Sequence, residues 1–331
     1  MKHLLWILSV GLFLAGCSSS DVVVVYSPHG AEMLGDYETL FEAAHPDVDV
    51  QVLDMGSKDV YSRVRAEKNR PQCDVWWGAP STMFMQAADE GLLAPYEPAW
   101  CTAVNPQFRD PEFRWHATFR SPLAILYNDR QYQAEDMPQT WDALLDDAWK
   151  GKISLRKPLE SGTMRTFIGA MIDRAESDDA GIAWLNRFHQ STGNYLGNPA
   201  LLFDHIKKNP ENISVWLMPD IVMQAVRNGF PFGYHIPKGT PVLTDGIAIV
   251  AGAPHREWAE KFYDFVTTEE ALVHQASAYA KLPARTDIDP AKLPPKLVAQ
   301  KIEPANIDWP AFAAKEKDWC NRWKTEVYEA P

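Results

Sequence analysis

Residues 22–30 read VVVVYSPHG, a run of four valines and a tyrosine that ends in a polar Ser-Pro-His-Gly turn. Consecutive β-branched residues favour a strand that is buried on both faces, as in a parallel sheet. Residues 48–53 and 73–77 repeat this pattern, and each run leads through Gly, Pro, Ser or Thr into a helical pattern. Strands that alternate with helices predict an α/β fold with a doubly wound sheet.

In such a sheet, ligands bind beyond the carboxyl ends of the strands, where the helices begin. Ser27 and His29 follow the first strand, and Ser81 and Thr82 follow the third, so these four are candidate ligand-binding residues. Side chains alternate along a strand, which directs one ring of Trp76-Trp77 to the core and the other to the cleft mouth. Trp77 is the candidate for the mouth, and burial in the core is the alternative for either ring.

Residues 157–167, KPLESGTMRTF, place a Ser-Gly-Thr step before an apolar helical pattern. Backbone N–H groups at a helix start attract anions, so Ser161, Gly162 and Thr163 are the main candidates for an anion site. A plain helix cap at Ser161 is the alternative. Arg120 is a possible charge partner of the anion, whereas a surface or hinge ion pair is favoured for Arg165.

Two aspartates, Asp220 and Asp245, stand in apolar or loop context near the predicted cleft. Carboxylates there accept hydrogen bonds from hydroxyl groups or pair with an ammonium group. A helix cap is the alternative for Asp220, and a turn is the alternative for Asp245.

The chain has 331 residues, 46% of them hydrophobic, and a formal net charge of −12. It is long enough for two lobes, and its acidic balance argues against a nucleic-acid partner. It contains no H-E-x-x-H, C-x-x-C, G-x-S-x-G or G-x-x-x-x-G-K-[ST] motif. We therefore expect a protein that binds its ligand without transforming it, with no metal and no cofactor.

The N-terminal residues 1–20, MKHLLWILSVGLFLAGCSSS, combine a basic start, an apolar run and small residues before Cys17. This pattern predicts a secretory signal. Residues 14–17 resemble the bacterial lipobox, which implies that Cys17 is lipidated, that residues 18–20 form a tether, and that the protein is anchored on the periplasmic side of a membrane.

Three further cysteines remain in an oxidising compartment, which predicts one disulfide and one buried thiol. We expect Cys101 to pair with Cys320, because both stand in polar segments, and Cys73 to pack as a small hydrophobe. The other pairings stay open.

Several stretches together resemble the solute-binding proteins of bacterial ABC importers, in the group that binds ferric iron, thiamine, phosphonates and sugar phosphates. They are the lipobox, VVVVYSPHG, CDVWWGAPST, FRSPLAILYND, KPLESGTMRTFIGAM and residues 237–266. The resemblance implies a type II periplasmic binding protein, a monomer of two lobes joined by a double hinge, with a permease and a small anionic solute as partners.

The resemblance also implies a division of the chain. Residues 1–17 are the signal, residues 18–118 form the first part of lobe 1, and residues 119–245 form lobe 2. Residues 246–331 return to lobe 1, and their C-terminal helices pack across both lobes.

Ferric binders of this group carry two adjacent tyrosines after a strand of the second lobe, because Fe³⁺ prefers phenolate and carboxylate oxygens. Met218 and Pro219 stand in the corresponding stretch here. The anion at Ser161-Gly162 is therefore expected to belong to the solute itself. The predicted function is capture of an organophosphate, such as a sugar phosphate or a phosphonate. The alternatives are a ferric-iron receptor and a secreted organophosphate hydrolase.

Overall fold

A computed structural model describes residues 21–329 of the chain. The predicted signal, the lipidated Cys17 and the tether at 18–20 lie outside the described residues. Among residues 21–329, no helix combines the length and the apolar character that a membrane span requires.

Strands and helices alternate along most of the described chain. The strands are β1 (Asp21–Ser27), β2 (Val48–Asp54), β3 (Val75–Pro80), β4 (Leu93–Ala94), β5 (His116–Asn128), β6 (Ile153–Arg156), β7 (Thr192–Leu196), β8 (Ser214–Leu217), β9 (Phe232–His235), β10 (Val242–Val250) and β11 (Leu282–Pro283). The helices are α1 (Ala31–Ala44), α2 (Ser57–Ala66), α3 (Ser81–Asp89), α4 (Gly162–Asp173), α5 (Asp178–Ser191), α6 (Pro199–Lys208), α7 (Met218–Arg227), α8 (Arg256–Val266), α9 (Glu269–Tyr279), α10 (Pro295–Val298) and α11 (Trp309–Trp323).

The three strands predicted first form the parallel part of a nine-stranded mixed sheet. β1 pairs in parallel with β2 on one side and with β3 on the other. Their carboxyl ends therefore meet at one edge, and α1, α2 and α3 begin at that edge. This confirms the predicted α/β fold.

Two long strands cross between two lobes. The first half of β5 pairs with β10, and its second half pairs with β8 and β9. β10 in turn pairs with β3 of the parallel sheet. We call lobe 1 the part built on β1–β4, the first half of β5, β10 and β11, with helices α1–α3, α8 and α9. Lobe 2 comprises the second half of β5, β6–β9 and helices α4–α7. The predicted boundaries at 118/119 and 245/246 fall inside β5 and β10.

The C-terminal helix α11 packs on α4 and α5 of lobe 2 and also contacts α3 of lobe 1. Gly169 of α4 permits this approach, since a Cβ there would lie 2.5 Å from the ring of Phe312 on α11. The close packing fixes the position of α4, and with it the Ser-Gly-Thr step at the start of that helix.

Trp76 and Trp77 are buried on opposite faces of the lobe 1 sheet. The expectation that Trp77 lies at the cleft mouth was therefore wrong. Trp76 packs against Phe84 with ring centroids 4.4 Å apart, whereas Trp77 packs against Tyr37 at 5.3 Å on the opposite face. Both rings are fully buried. Alternation does separate the two rings, but helices cover both faces of this sheet, so neither face is open.

The predicted Cys101–Cys320 disulfide is absent: within residues 21–329, Cys73, Cys101 and Cys320 are all free thiols. Cys101 lies in a short 3₁₀ turn (Cys101–Ala103), with its Sγ 3.8 Å from Oε1 of Glu97. Cys320 lies on α11, and burial raises the pKa of its thiol to about 12. The prediction failed because both cysteines are buried at separate places of the fold, although their sequence neighbours are polar.

Candidate functional site

A groove of about 1060 Å³ lies between the two lobes. Lobe 1 contributes the start of α3, including Thr82, together with residues of the segment 106–115. Lobe 2 contributes Gly162, Arg165 and Thr166 of α4, and one face of α11 completes the wall. Two helix N-termini, one from each lobe, therefore open into the same groove.

The start of α4 leaves backbone donors free. Ser161 is the N-cap, and its Oγ accepts a hydrogen bond from the N–H of Met164 at 3.3 Å. The N–H groups of Gly162 and Thr163 donate to no acceptor within residues 21–329. Pro80 precedes α3, which has no side-chain cap at all. Free N–H groups and the partial positive charge of a helix N-terminus both favour an anion.

The charged side chains around the groove are balanced rather than basic. Four basic residues (Arg109, Arg114, Arg165 and Lys317) and four acidic residues (Asp89, Asp110, Asp308 and Glu316) line it. Arg165 pairs with Glu316 at 3.5 Å, which is the ion pair favoured for it from the sequence. Attraction of an anion by this groove therefore depends on the two helix N-termini more than on net side-chain charge.

Behind the start of α3 lies a charged region that we call the recess: Asp220, Asp245 and Lys281 around the ring of Phe119 of β5, which is itself fully buried. Asp245 of β10 is directly opposite Phe119 in the strand register, and Pro283 of β11 is opposite Phe119 on the other side. The ammonium of Lys281 lies 5.5 Å from the centroid of the Phe119 ring. Asp245 is also paired with Pro80, which lines the groove, so the recess and the groove adjoin.

Asp220 joins this recess from lobe 2. It lies in the first turn of α7, and its Oδ2 accepts a hydrogen bond from Nε1 of Trp216 at 3.0 Å. Burial raises the pKa of the Asp220 and Asp245 carboxyls, and the positive charge of Lys281 opposes that rise for both. As whole residues, Asp220 and Asp245 are half-buried.

His29 lies beside the recess, but its ring is packed into lobe 1. Its centroid is 5.3 Å from that of Phe119, and a Cβ at Gly78 would lie 2.5 Å from its Nε2. Burial, and then the charge of Lys281, lower the pKa of His29 well below its usual value. The imidazole is therefore neutral at pH 7 and supplies no charge to an anion.

Arg120, the next residue after Phe119 on β5, points to the other side of the strand by alternation. Its Nε donates a hydrogen bond to the carbonyl of Pro283 at 2.9 Å, and burial lowers the pKa of its guanidinium. Arg120 thus ties β5 to β11 and does not line the groove.

The hydroxyl groups predicted to meet the ligand divide into two sets. Thr82 lines the groove, and Thr163 is half-buried at the start of α4. Ser27 is fully buried and accepts a hydrogen bond from the N–H of His29 at 3.2 Å, and Ser81 is bonded to Thr244 at 2.8 Å between their hydroxyl oxygens. Ser27, Ser81 and the N-cap Ser161 therefore shape the walls and do not present free hydroxyls.

Lys281 is the residue of this region that the sequence did not single out. It stands in Ala280-Lys281-Leu282, between α9 and the short apolar strand β11. Ala280 has the left-handed φ of 51°, which ends α9 and directs the chain into β11. A lone lysine between a helix end and an apolar strand was the available signal, but lysines in that position are usually solvated.

The carboxylate of Asp220 is expected to reduce the stability of the ligand-free protein at neutral pH. Because its native pKa is raised, the native state binds its proton more readily than the unfolded chain, and stability falls as pH rises towards the native pKa. Asp220→Asn keeps an acceptor for Trp216 and removes the buried charge. We expect about 1 kcal/mol more stability at pH 7, or a rise in Tm of about 2 °C.

Thermal unfolding between pH 4 and pH 8 measures this effect, and the gain is expected to shrink towards pH 4. Asp204→Asn is the matched control, since Asp204 is an exposed carboxylate that pairs with Lys208 at 2.7 Å. A variant that is less stable than the parent at pH 7, or a gain that is the same at every pH, would contradict the prediction.

Metal ligands are not grouped in the part of the chain that the structure describes: no set of three His, Cys, Asp or Glu side chains between residues 21 and 329 is arranged to hold an ion. At the position of the tyrosine pair of ferric binders, Met218 and Pro219 are both buried at the start of α7.

Two solved structures share the fold over nearly all of this chain. The periplasmic binding protein AfuA from Actinobacillus pleuropneumoniae, with fructose-6-phosphate bound, has a TM-score of 0.73 at 23% identity and covers 94% of this chain and 99% of its own. The ferric binding protein from Campylobacter jejuni has a TM-score of 0.78 at 17% identity and covers 92% and 98%. The fold, two α/β lobes around one groove, is that of the type II periplasmic binding proteins.

Two sequence relatives also extend over most of the chain. A "Probable ABC transporter periplasmic-binding protein" of Sinorhizobium fredii is 26% identical, over 93% of this chain and 87% of the relative. A "Putative 2-aminoethylphosphonate-binding periplasmic protein" of Salmonella typhimurium is 24% identical over 92% of each.

The family model of the bacterial extracellular solute-binding proteins matches residues 79–315, and the chain belongs to this family. It is a periplasmic solute-binding protein of an ABC importer, which delivers a small solute to the permease. Its relatives are binding proteins and not enzymes, in agreement with the function class predicted from the sequence.

Proposed function

We propose that this protein captures a small organophosphate, a sugar phosphate or a phosphonate, in the groove between its lobes. One observation carries the proposal: the uncapped start of α3 in lobe 1 and Gly162 in lobe 2, whose backbone N–H is free, line the same groove. A phosphate or phosphonate group has several oxygens and accepts donors from both walls at once.

Binding from both walls also gives a reason for the two lobes to close over the solute. A ligand stabilises the closed arrangement only by as much as it binds that arrangement better than the open one. An anion that contacts one helix in each lobe meets this condition, because only the closed arrangement brings both sets of donors to it. Arg227 of α7 pairs with Glu32 of α1 across the lobes, which adds a contact that opening would break.

The relatives support an organic phosphate or phosphonate without deciding between them. Fructose-6-phosphate is bound by AfuA, and the name of the Salmonella protein refers to 2-aminoethylphosphonate. A ferric binder shares the fold, but buried Met218 and Pro219 offer no hard oxygen ligand to Fe³⁺. We further propose that the mature chain is monomeric and is anchored to a membrane through a lipid on Cys17.

Thermal unfolding of the mature protein with a panel of solutes tests the proposal. We expect fructose 6-phosphate or 2-aminoethylphosphonate, at about 100 times its Kd, to stabilise the native state by about 2.7 kcal/mol. Inorganic phosphate should have a smaller effect, because it provides the anion alone.

Ferric citrate and thiamine complete the panel as the competing ligand classes of the group. Stabilisation by ferric citrate alone would overturn the proposal in favour of an iron receptor. Steady release of inorganic phosphate from any organophosphate would instead favour the hydrolase.

A further inference from the structure

Three charged side chains in the recess keep unused hydrogen-bonding capacity. The carboxylate of Asp245 accepts no hydrogen bond within residues 21–329, and that of Asp220 accepts one, from Trp216. The ammonium of Lys281 forms no ion pair within 4.0 Å and no hydrogen bond with the same residues. All three residues retain accessible surface, so a bound group can reach them.

The strand register brings these charges to one face of the crossing strands. Directly paired residues of an antiparallel ladder point to the same side, so Asp245, Phe119 and Pro283 share a face. Lys281 directly precedes β11, and the position of its ammonium over the Phe119 ring puts it beside that face. Asp220 lies on α7 of lobe 2, close enough for its carboxyl to interact electrostatically with Lys281 and Asp245.

Asp245 lies directly beside the start of α3. Pro80 lines the groove and pairs with Asp245, and the next residue, Ser81, is bonded to Thr244 on β10. Paired residues on neighbouring strands lie about 5 Å apart between Cα atoms. A solute whose phosphate binds at the start of α3 is therefore within reach of Asp245.

We propose that Asp220, Asp245 and Lys281 form a second subsite, which binds a hydrogen-bond-donating group at the end of the solute opposite its phosphate. This inference rests on the proposed function and names the substrate class more closely. Two carboxylates and one ammonium give the subsite a net charge of −1. It therefore accepts hydroxyl or ammonium donors and disfavours a solute that is anionic at both ends.

Lys281 acts in this subsite as a positioning residue. Its positive charge favours the ionised form of Asp220 and Asp245, which are the stronger acceptors. The other titratable group that faces the recess is His29, which is neutral, while Arg120 lies on the far side of β5. Binding of a donor-bearing solute should therefore depend on Lys281 through the pH at which the carboxylates ionise.

Calorimetric titration with matched ligands tests the carboxylates. 2-Aminoethylphosphonate and ethylphosphonate differ only in the ammonium group, and fructose 6-phosphate and inorganic phosphate provide the hydroxyl comparison. In the parent protein, the preference for at least one donor-bearing member over its partner should be about tenfold or more. Asp245→Asn should remove most of that preference and leave the affinity for ethylphosphonate and inorganic phosphate within about threefold. Asp204→Asn should change neither.

Lys281→Met tests the positioning role through the pH profile of binding. The donor-bearing ligand is preferred only above the pH at which the carboxylates ionise. We expect this pH to be higher in Lys281→Met than in the parent protein, and to be close to the parental value in Lys281→Arg. Lys261→Met, at an exposed position of α8, should leave the profile unchanged. A purely structural role of Lys281 would lower the affinity for all ligands alike and would not move the profile.

The outcomes separate this inference from the proposed function. If the parent protein binds phosphonates or phosphates but the preference persists in Asp245→Asn, the subsite is wrong and the proposed function stands. If the parent protein binds none of the four ligands, both the proposed subsite and the proposed function are wrong. A profile in Lys281→Met identical to that of the parent overturns the role of Lys281. A preference within the phosphonate pair indicates a solute with an ammonium group, and a preference within the phosphate pair indicates a hydroxylated solute.

Discussion

Gly162→Asp should abolish binding of phosphate-containing solutes while the protein remains folded. A Cβ at Gly162 has room, since its nearest neighbour would be Nη2 of Arg165 at 3.8 Å. The added carboxylate occupies the free N–H groups at the start of α4 and repels a second anion. An acidic residue at a helix start stabilises the helix, so we expect an unchanged or slightly higher Tm. The loss of affinity should be about 100-fold or more, which corresponds to about 2.7 kcal/mol.

Calorimetric titration with the solute that stabilises the parent protein measures the loss. Gly162→Ala is the control, because its methyl group fits the same space and carries no charge. We expect it to bind within about threefold of the parent. Binding by Gly162→Asp at parental affinity would show that the anion does not sit at the start of α4.

Trp77→Ala should destabilise the protein by about 3–5 kcal/mol, since a fully buried indole leaves a large cavity in the lobe 1 core. The ring of Trp77 contacts Tyr37, Phe262 and His29, with centroids 5.2–6.0 Å apart. Urea unfolding followed by circular dichroism measures the change. Where the variant stays folded, its intrinsic affinity for the solute should be close to that of the parent.

Trp77→Phe is the matched control for this position. Nε1 of Trp77 is buried without a partner among the described residues, so phenylalanine removes no hydrogen bond. Its cost should be clearly smaller, about 1–2 kcal/mol. A stable Trp77→Ala variant with weakened ligand binding would return Trp77 to the cleft mouth.

Part of the candidate site was accessible from the sequence because it depends on local chain chemistry. A Ser-Gly-Thr step before an apolar helix predicts a helix start with free N–H groups, and the structure has Ser161 as the N-cap of α4. The role of each side chain was less accessible. The hydroxyl of Ser161 can bind a ligand or accept a hydrogen bond from the N–H of Met164. Which of the two it does depends on side-chain geometry that the amino-acid sequence does not specify.

The remaining errors have one physical cause. Cys101 and Cys320 were expected to pair, and Trp77 to face the mouth, from the polarity of their sequence neighbours and from alternation. Burial depends on which helices cover a position, and those helices come from distant parts of the chain. Lys281 was missed for the same reason: only the pairing of β11 and β10 with β5 brings its ammonium and Asp245 to the same aromatic ring.

The sequence by itself determined the alternating α/β order, the parallel strands β1, β2 and β3, and the helix start at Gly162. These features follow from β-branched runs, helical periodicity and capping residues, all of which act over a few neighbouring positions. The tertiary structure alone decided which charges meet. Asp220, Asp245 and Lys281 come from three distant parts of the chain. They come together because β5 and β10 cross between the lobes and bring these parts of the chain around Phe119.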